Sequence, residues 1–152
     1  MQITSLPHID EHTTDIAAEA DAVWRSLGEE LDQSFSRRGA AGYARLVGAA
    51  DCTPAGPRPL AVGSTFPGFR VVAAIPGQKL VLRGRHRFST YALIFRLDPN
   101  GPGRSQLRAE SRAAFPGLAG GVYRWLVIGT GGHEVGMRRL LSAIRRRCEC
   151  RT

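Results

Sequence analysis

The stretch "WLVIGTGGHEVGMRRLL", Trp125 to Leu141, decides how this chain folds. It is apolar enough for a core, yet it holds Gly129, Gly131, Gly132 and Gly136. Glycine costs about 1 kcal/mol relative to alanine in a helix interior. A helix drawn from Leu118 to Arg147, after the Phe115-Pro116-Gly117 break, aligns Leu118, Val122, Trp125, Gly129, Gly132, Gly136 and Leu140 on one stripe. Arg124, Arg138 and Arg145 fall opposite. Three of the four glycines therefore lie on the stripe that would face a core.

Three explanations compete for this glycine content. "GTGGHE" lacks the G-x-G-x-x-G spacing of a phosphate-binding turn, because Glu134 stands where the last glycine belongs. "HEVGM" begins like the zinc motif H-E-x-x-H, but Met137 replaces the second histidine, and no metal is expected. The steric explanation remains: bare positions let a helix approach a sheet closely, or keep a hollow open beneath it. Plain close packing is the simpler of those two outcomes.

The sheet is legible upstream. "FRVVAAI" (69–75), "KLVLRGRHRF" (79–88), "STYALIFRL" (89–97) and "SQLRAESRAAF" (105–115) alternate like strands and are joined by short turns such as "DPNGPGR". Leu80, Leu82, Gly84, His86 and Phe88 share one phase, and Val81, Arg83, Arg85 and Arg87 the other. Tyr91, Leu93, Phe95 and Leu97 oppose Arg96, while Leu107, Ala109, Ser111, Ala113 and Phe115 oppose Arg108, Glu110 and Arg112. One sheet face is apolar and aromatic, the other wet and rich in arginine. The C-terminal helix is expected to cover the apolar face.

Ahead of these strands, "HIDEHTTDIAA" (8–18) reads as a first strand. "AEADAVWRSLGEELDQSF" (18–35) places Ala22, Trp24, Leu27, Leu31 and Phe35 at helical spacing, with Arg37 and Arg38 following where a helix dipole favours cations. "GAAGYARLVGA" (39–49) continues as a short helix or turn. The expected class is α+β, with two short helices after the first strand, over one domain spanning 1–152.

Composition narrows the function. The formal charge is +8, and of 21 basic residues only Lys79 is a lysine. An arginine-rich surface suits anions, but no nucleic-acid motif accompanies it, so nucleic acid is disfavoured as a partner. Cys52, Cys148 and Cys150 make no secreted disulfide framework. Neither a signal peptide nor a transmembrane run is read, and a cytoplasmic protein is expected.

The order of elements is that of the helix-grip fold, a curved antiparallel sheet wrapped around a long C-terminal helix. With "AEADAVW" after "EHTTDIAA", "VGSTFPGFRVVAAIPGQKLVLRGRHRF" and "YALIFRLDP", the chain resembles the SRPBCC superfamily of START, Bet v 1 and polyketide cyclase-like proteins. The resemblance covers nearly the whole chain. It implies a deep hydrophobic cavity between helix and sheet that takes a hydrophobic small molecule such as a lipid or polyketide, with no cofactor and with a monomer or homodimer both open. It also leaves open a cyclase or dehydratase.

Within such a cavity the expected ligand-binding residues are Phe69, His86, Phe88, Tyr91, Phe95, Ser111, Phe115, Trp125, Gly129, Gly132 and His133. His86 is the best acid-base candidate by its ordinary pKa, and Tyr91 a candidate donor. His8 and His12 are expected at the surface. An anion-binding role for the outer arginines (Arg83, Arg85, Arg87, Arg96, Arg108 and Arg112) is the weaker alternative.

Overall fold

A computed structural model describes residues 6–35, 40–129 and 131–150. β1 (His8–Ile16) leads into α1 (Ala20–Phe35) and the short α2 (Ala40–Leu46). Five strands follow: β2 (Thr65–Phe66), β3 (Phe69–Ile75), β4 (Lys79–His86), β5 (Ser89–Pro99) and β6 (Ser105–Ala114). The last elements are α3 (Gly117–Arg124), a π-helical turn over Trp125–Gly129, and α4 (Gly132–Glu149). Arg37 and Arg38 lie outside the described residues.

The strands form one antiparallel sheet in the order β1-β6-β5-β4-β3-β2, which sets the first strand beside the last. This is the α+β helix-grip arrangement. Register follows the alternation in the sequence: Leu80 pairs with Phe95, Leu82 with Leu93 and Gly84 with Tyr91, and β6 continues these rows with Ala109, Ser111 and Ala113.

Along each inner row the side chains change character. At one end Leu80, Leu82, Phe95, Leu97 and Leu107 are buried against Val23, Leu27 and Leu31 of α1 and Met137, Leu140, Leu141 and Ile144 of α4. The helical residues recur every three or four positions, so both helices present a continuous apolar stripe to the sheet. Truncating a fully buried member such as Leu27 or Ile144 to alanine costs about 2–5 kcal/mol. At the other end the rows turn to Gly84, His86, Tyr91, Ser111 and Ala113, which are smaller or polar. The packed core stops there.

The expected continuous helix from Leu118 to Arg147 is instead two helices. Gly131 adopts φ 79°, a left-handed conformation that glycine enters without steric cost, and α4 starts only after it. The π-helical turn just before shifts the phase of the preceding residues. Leu118, Val122 and Trp125 consequently face water at 93%, 61% and 65% exposure, not the sheet. The glycines break the helix as much as they thin it.

Two smaller corrections concern the faces. His12 shares the inner phase of β1 with Asp10, Thr14 and Ile16, pairs across to Ala109, and is partly buried beneath α4 and not a surface residue. Val81 on the outer face is buried, as is its cross-strand partner Ile94. That pair lies between rows carrying Arg96 and Arg108 on one side and Arg83 and Arg112 on the other, whose aliphatic stems can cover it. Glu110 collects three basic side chains on that face, with His8 Nδ1 at 3.0 Å, Arg96 Nη1 at 3.0 Å and Arg112 Nη2 at 2.9 Å. Burial alone would raise the Glu110 pKa, but these bonds and charges hold it below the ordinary carboxylate value.

Candidate functional site

Where the inner rows become small and polar, sheet and helices part around a cavity of about 930 Å³. Pockets for small organic ligands run to roughly 300–1,000 Å³. Phe69, Leu93, Ala113 and Phe115 supply apolar wall from the strand side, and Met137, Leu140 and Ala143 from α4. Gly136 belongs to the α4 wall, and a Cβ placed on it would meet no atom within 4 Å. Gly136 is exposed, so this open space is at the mouth of the cavity.

Four polar features converge on this volume. The first is His86, at the end of β4. Its ring lies 4.9 Å from Tyr123 and 5.4 Å from Tyr91, centroid to centroid. Nδ1 accepts the Phe88 backbone N–H at 3.1 Å, which assigns the ring hydrogen to Nε2. Burial pushes the His86 pKa down. His86 is thus a neutral imidazole with one N–H left to donate.

The second is Tyr91, which pairs with Gly84 across the strands. A Cβ at Gly84 would overlap the Tyr91 ring and the Gly68 carbonyl, so only glycine lets the phenol lie across β4. The Tyr91 hydroxyl donates to Gly68 O at 2.5 Å, and its ring packs edge-on to Phe69 at 5.1 Å. Burial raises its pKa well above the ordinary phenol value. Tyr91 lines the cavity, but its proton is already committed.

The third is a pair of phenols: the hydroxyls of Tyr43 on α2 and Tyr123 on α3 lie 2.9 Å apart. One hydroxyl donates to the other, which leaves a single phenolic proton for a ligand. The fourth is a polar chain beneath the start of α4. Ser111 Oγ lies 3.0 Å from His133 Nε2, the same nitrogen is 3.5 Å from Asp10 Oδ1, and Asp10 Oδ2 is 3.3 Å from His12 Nε2. In a serine nucleophile triad the acid holds the other imidazole nitrogen. Here serine and carboxylate meet the same one. Asp10 Oδ1 is a buried atom with no hydrogen-bond partner among the described residues, so its approach to His133 Nε2 is a close contact and not a hydrogen bond. Either Ser111 Oγ or His133 Nε2 can be the donor in the bond between them.

Of the residues expected from sequence, Phe69, His86, Tyr91, Ser111, Phe115 and His133 are brought together around the cavity. Phe88 stands just behind it, its ring stacked on Tyr123 at 5.6 Å. Phe95 sits deeper along its row and is fully buried in the packed end. Trp125 and Gly129 are exposed because the π-helical turn rotates them away, and a Cβ on Gly129 would touch the Trp125 ring of the same turn. Gly132 is the first residue of α4, and its surroundings lie outside what is described. Sequence reasoning missed Tyr43, Tyr123 and Asp10. For Asp10 the signal was present, since it shares the strand phase of the buried Ile16.

No family model matches the chain, and no curated protein matches it in sequence. Solved structures do. A protein from Chromobacterium violaceum superposes with a TM-score of 0.59 at 11% identity, covering 92% of this chain and 96% of that one. Truncated norcoclaurine synthase from Thalictrum flavum gives 0.57 at 12% identity, over 93% and 95% of the two chains. CalU16 from Micromonospora echinospora gives 0.56 at 14% identity, over 93% and 80%. The fold they share is the Bet v 1-like helix-grip fold, and this chain has that fold. At such identities the likeness speaks for architecture alone.

Proposed function

We propose that this protein binds a hydrophobic small molecule of the lipid or polyketide kind in the cavity between the inner sheet face and α4. The observation that carries the proposal is the volume of about 930 Å³ with apolar walls. His86 Nε2 and one of the Tyr43 and Tyr123 phenols are donors, so the ligand should carry hydrogen-bond-accepting oxygens on an apolar body. If the ligand is also transformed, as in a cyclase or dehydratase, His86 is the group with a nitrogen to spare and Tyr91 is not.

The test is a fluorescence titration with pyrenebutanol, an uncharged apolar probe, on the wild type and on Ala113→Phe, which narrows the cavity from the sheet side. Saturable one-to-one binding that weakens at least tenfold in the variant supports the proposal. A wild type that does not bind, or a variant that binds equally well, overturns it.

A further inference from the structure

Helix α4 carries five arginines, and they divide into two sets. Arg138 pairs with Glu134 at 2.7 Å, Arg145 with Glu149 at 3.2 Å, and Arg147 with Glu29 and Glu30 of α1 at 3.4 and 2.9 Å. Arg139 and Arg146 have no carboxylate partner among the described residues, which include all 13 acidic side chains of the chain. The two unpartnered arginines are also the two that line the cavity, and the three paired ones do not line it.

Spacing explains how this comes about. Arg139 and Arg146 are seven residues apart, two turns along one helix face. Gly136 and Ala143 share that face at the same spacing, and all four border the cavity. Each arginine thus follows a small residue by three positions and can lean over the opening that residue leaves. Four positions to either side of Arg139 stand Val135 and Ala143, so no helix neighbour neutralises it. Glu149, three residues after Arg146, is turned to Arg145 and to the Ala17 N–H at 3.0 Å. The acid that also lines the cavity, Glu30, is occupied by Arg147 and by the Ser34 hydroxyl at 2.9 Å. Both arginines are exposed, so the cavity reaches the surface where they stand.

We infer that Arg139 and Arg146 form an anion-binding mouth, and that the ligand is an amphipathic anion with its apolar body in the cavity and a carboxylate or phosphate between the two guanidinium groups. Guanidinium presents paired N–H donors that match the oxygens of either group. The inference rests on the cavity-binding function above and narrows its ligand class.

The experiment compares pyrenebutyrate with pyrenebutanol, which differ chiefly in the charged end. The wild type is expected to bind the carboxylate about tenfold more tightly at low ionic strength, the combined effect of two partly exposed charged contacts, with the preference shrinking as salt is added. In Arg139→Gln/Arg146→Gln the preference disappears and the two probes bind with equal affinity. Arg138→Gln/Arg145→Gln, which alters the paired set, keeps the preference. Displacement of pyrenebutyrate by oleate and by oleyl phosphate then separates the two headgroups. Equal wild-type affinity for the two pyrene probes, or a preference that survives in Arg139→Gln/Arg146→Gln, overturns the anion-binding mouth and leaves the cavity-binding function standing. If neither pyrene probe binds, both fall together.

Discussion

Gly136→Leu should move stability and binding in opposite directions. Gly136 lies in the interior of α4, lines the cavity, and has nothing within 4 Å of a Cβ. Leucine there recovers about 0.8 kcal/mol of helix propensity. With about 2–4 °C per kcal/mol for a chain of this size, Tm should rise by about 2–3 °C. The same side chain enters the ligand volume from the α4 side, so pyrenebutanol affinity should drop at least tenfold, about 1.4 kcal/mol. Scanning calorimetry and fluorescence titration on one preparation measure both. A Tm that falls by several degrees would mean the space beneath Gly136 is filled. A raised Tm with unchanged affinity would mean the ligand lies elsewhere.

Further outcomes are expected at other positions. Gly84→Ala should destabilise by about 1–3 kcal/mol in urea unfolding, because its Cβ displaces Tyr91 and Gly68; a neutral effect contradicts that packing. Tyr91→Phe should cost about 1 kcal/mol through the lost bond to Gly68 O, with pyrenebutanol affinity little changed. His86 should titrate by NMR below the usual histidine value of about 6.5. Its unfolded form holds the proton to higher pH than the folded form, so stability decreases as pH falls from the unfolded midpoint toward the folded one. His86→Gln should flatten that slope, and a midpoint at or above the usual value would contradict the burial. Glu110→Gln should cost about 1–3 kcal/mol near neutral pH. Because the folded Glu110 pKa is depressed, its contribution is present above the unfolded carboxylate value and is lost as pH falls through the folded one; the wild type and Glu110→Gln should converge in stability at low pH.

The parts of the fold legible in the sequence were those set by local periodicity. Leu80, Leu82 and the row Tyr91, Leu93, Phe95 and Leu97 alternate cleanly, and β3 to β6 begin where that alternation begins. β2 escaped because two residues carry no period. Leu118, Val122 and Trp125 match helical spacing as well as Leu140 does, but spacing assumes an unbroken helix, and Gly131 breaks it. The cavity candidates on strands were placed by phase, so Ser111, His86 and Tyr91 came out on the right face. Phase does not tell how far along the sheet the packing ends, so phase alone groups the fully buried Phe95 with them. Tyr43 and Tyr123 meet through tertiary contact between α2 and α3, and nothing local signals it. The arginines of α4 were visible as charge alone, since which of them lack a carboxylate depends on where Glu29 and Glu30 lie in space.

The most direct test of the hollow beneath α4 is an isotope-filtered NOE experiment on the protein saturated with pyrenebutanol. Cross-peaks from the pyrene protons to the Met137 and Ala113 methyl groups and the Tyr123 ring are the expected result. Cross-peaks confined to exposed Leu118 and Trp125 would place the probe on the outer surface of α3 and the π-helical turn, and would contradict the account.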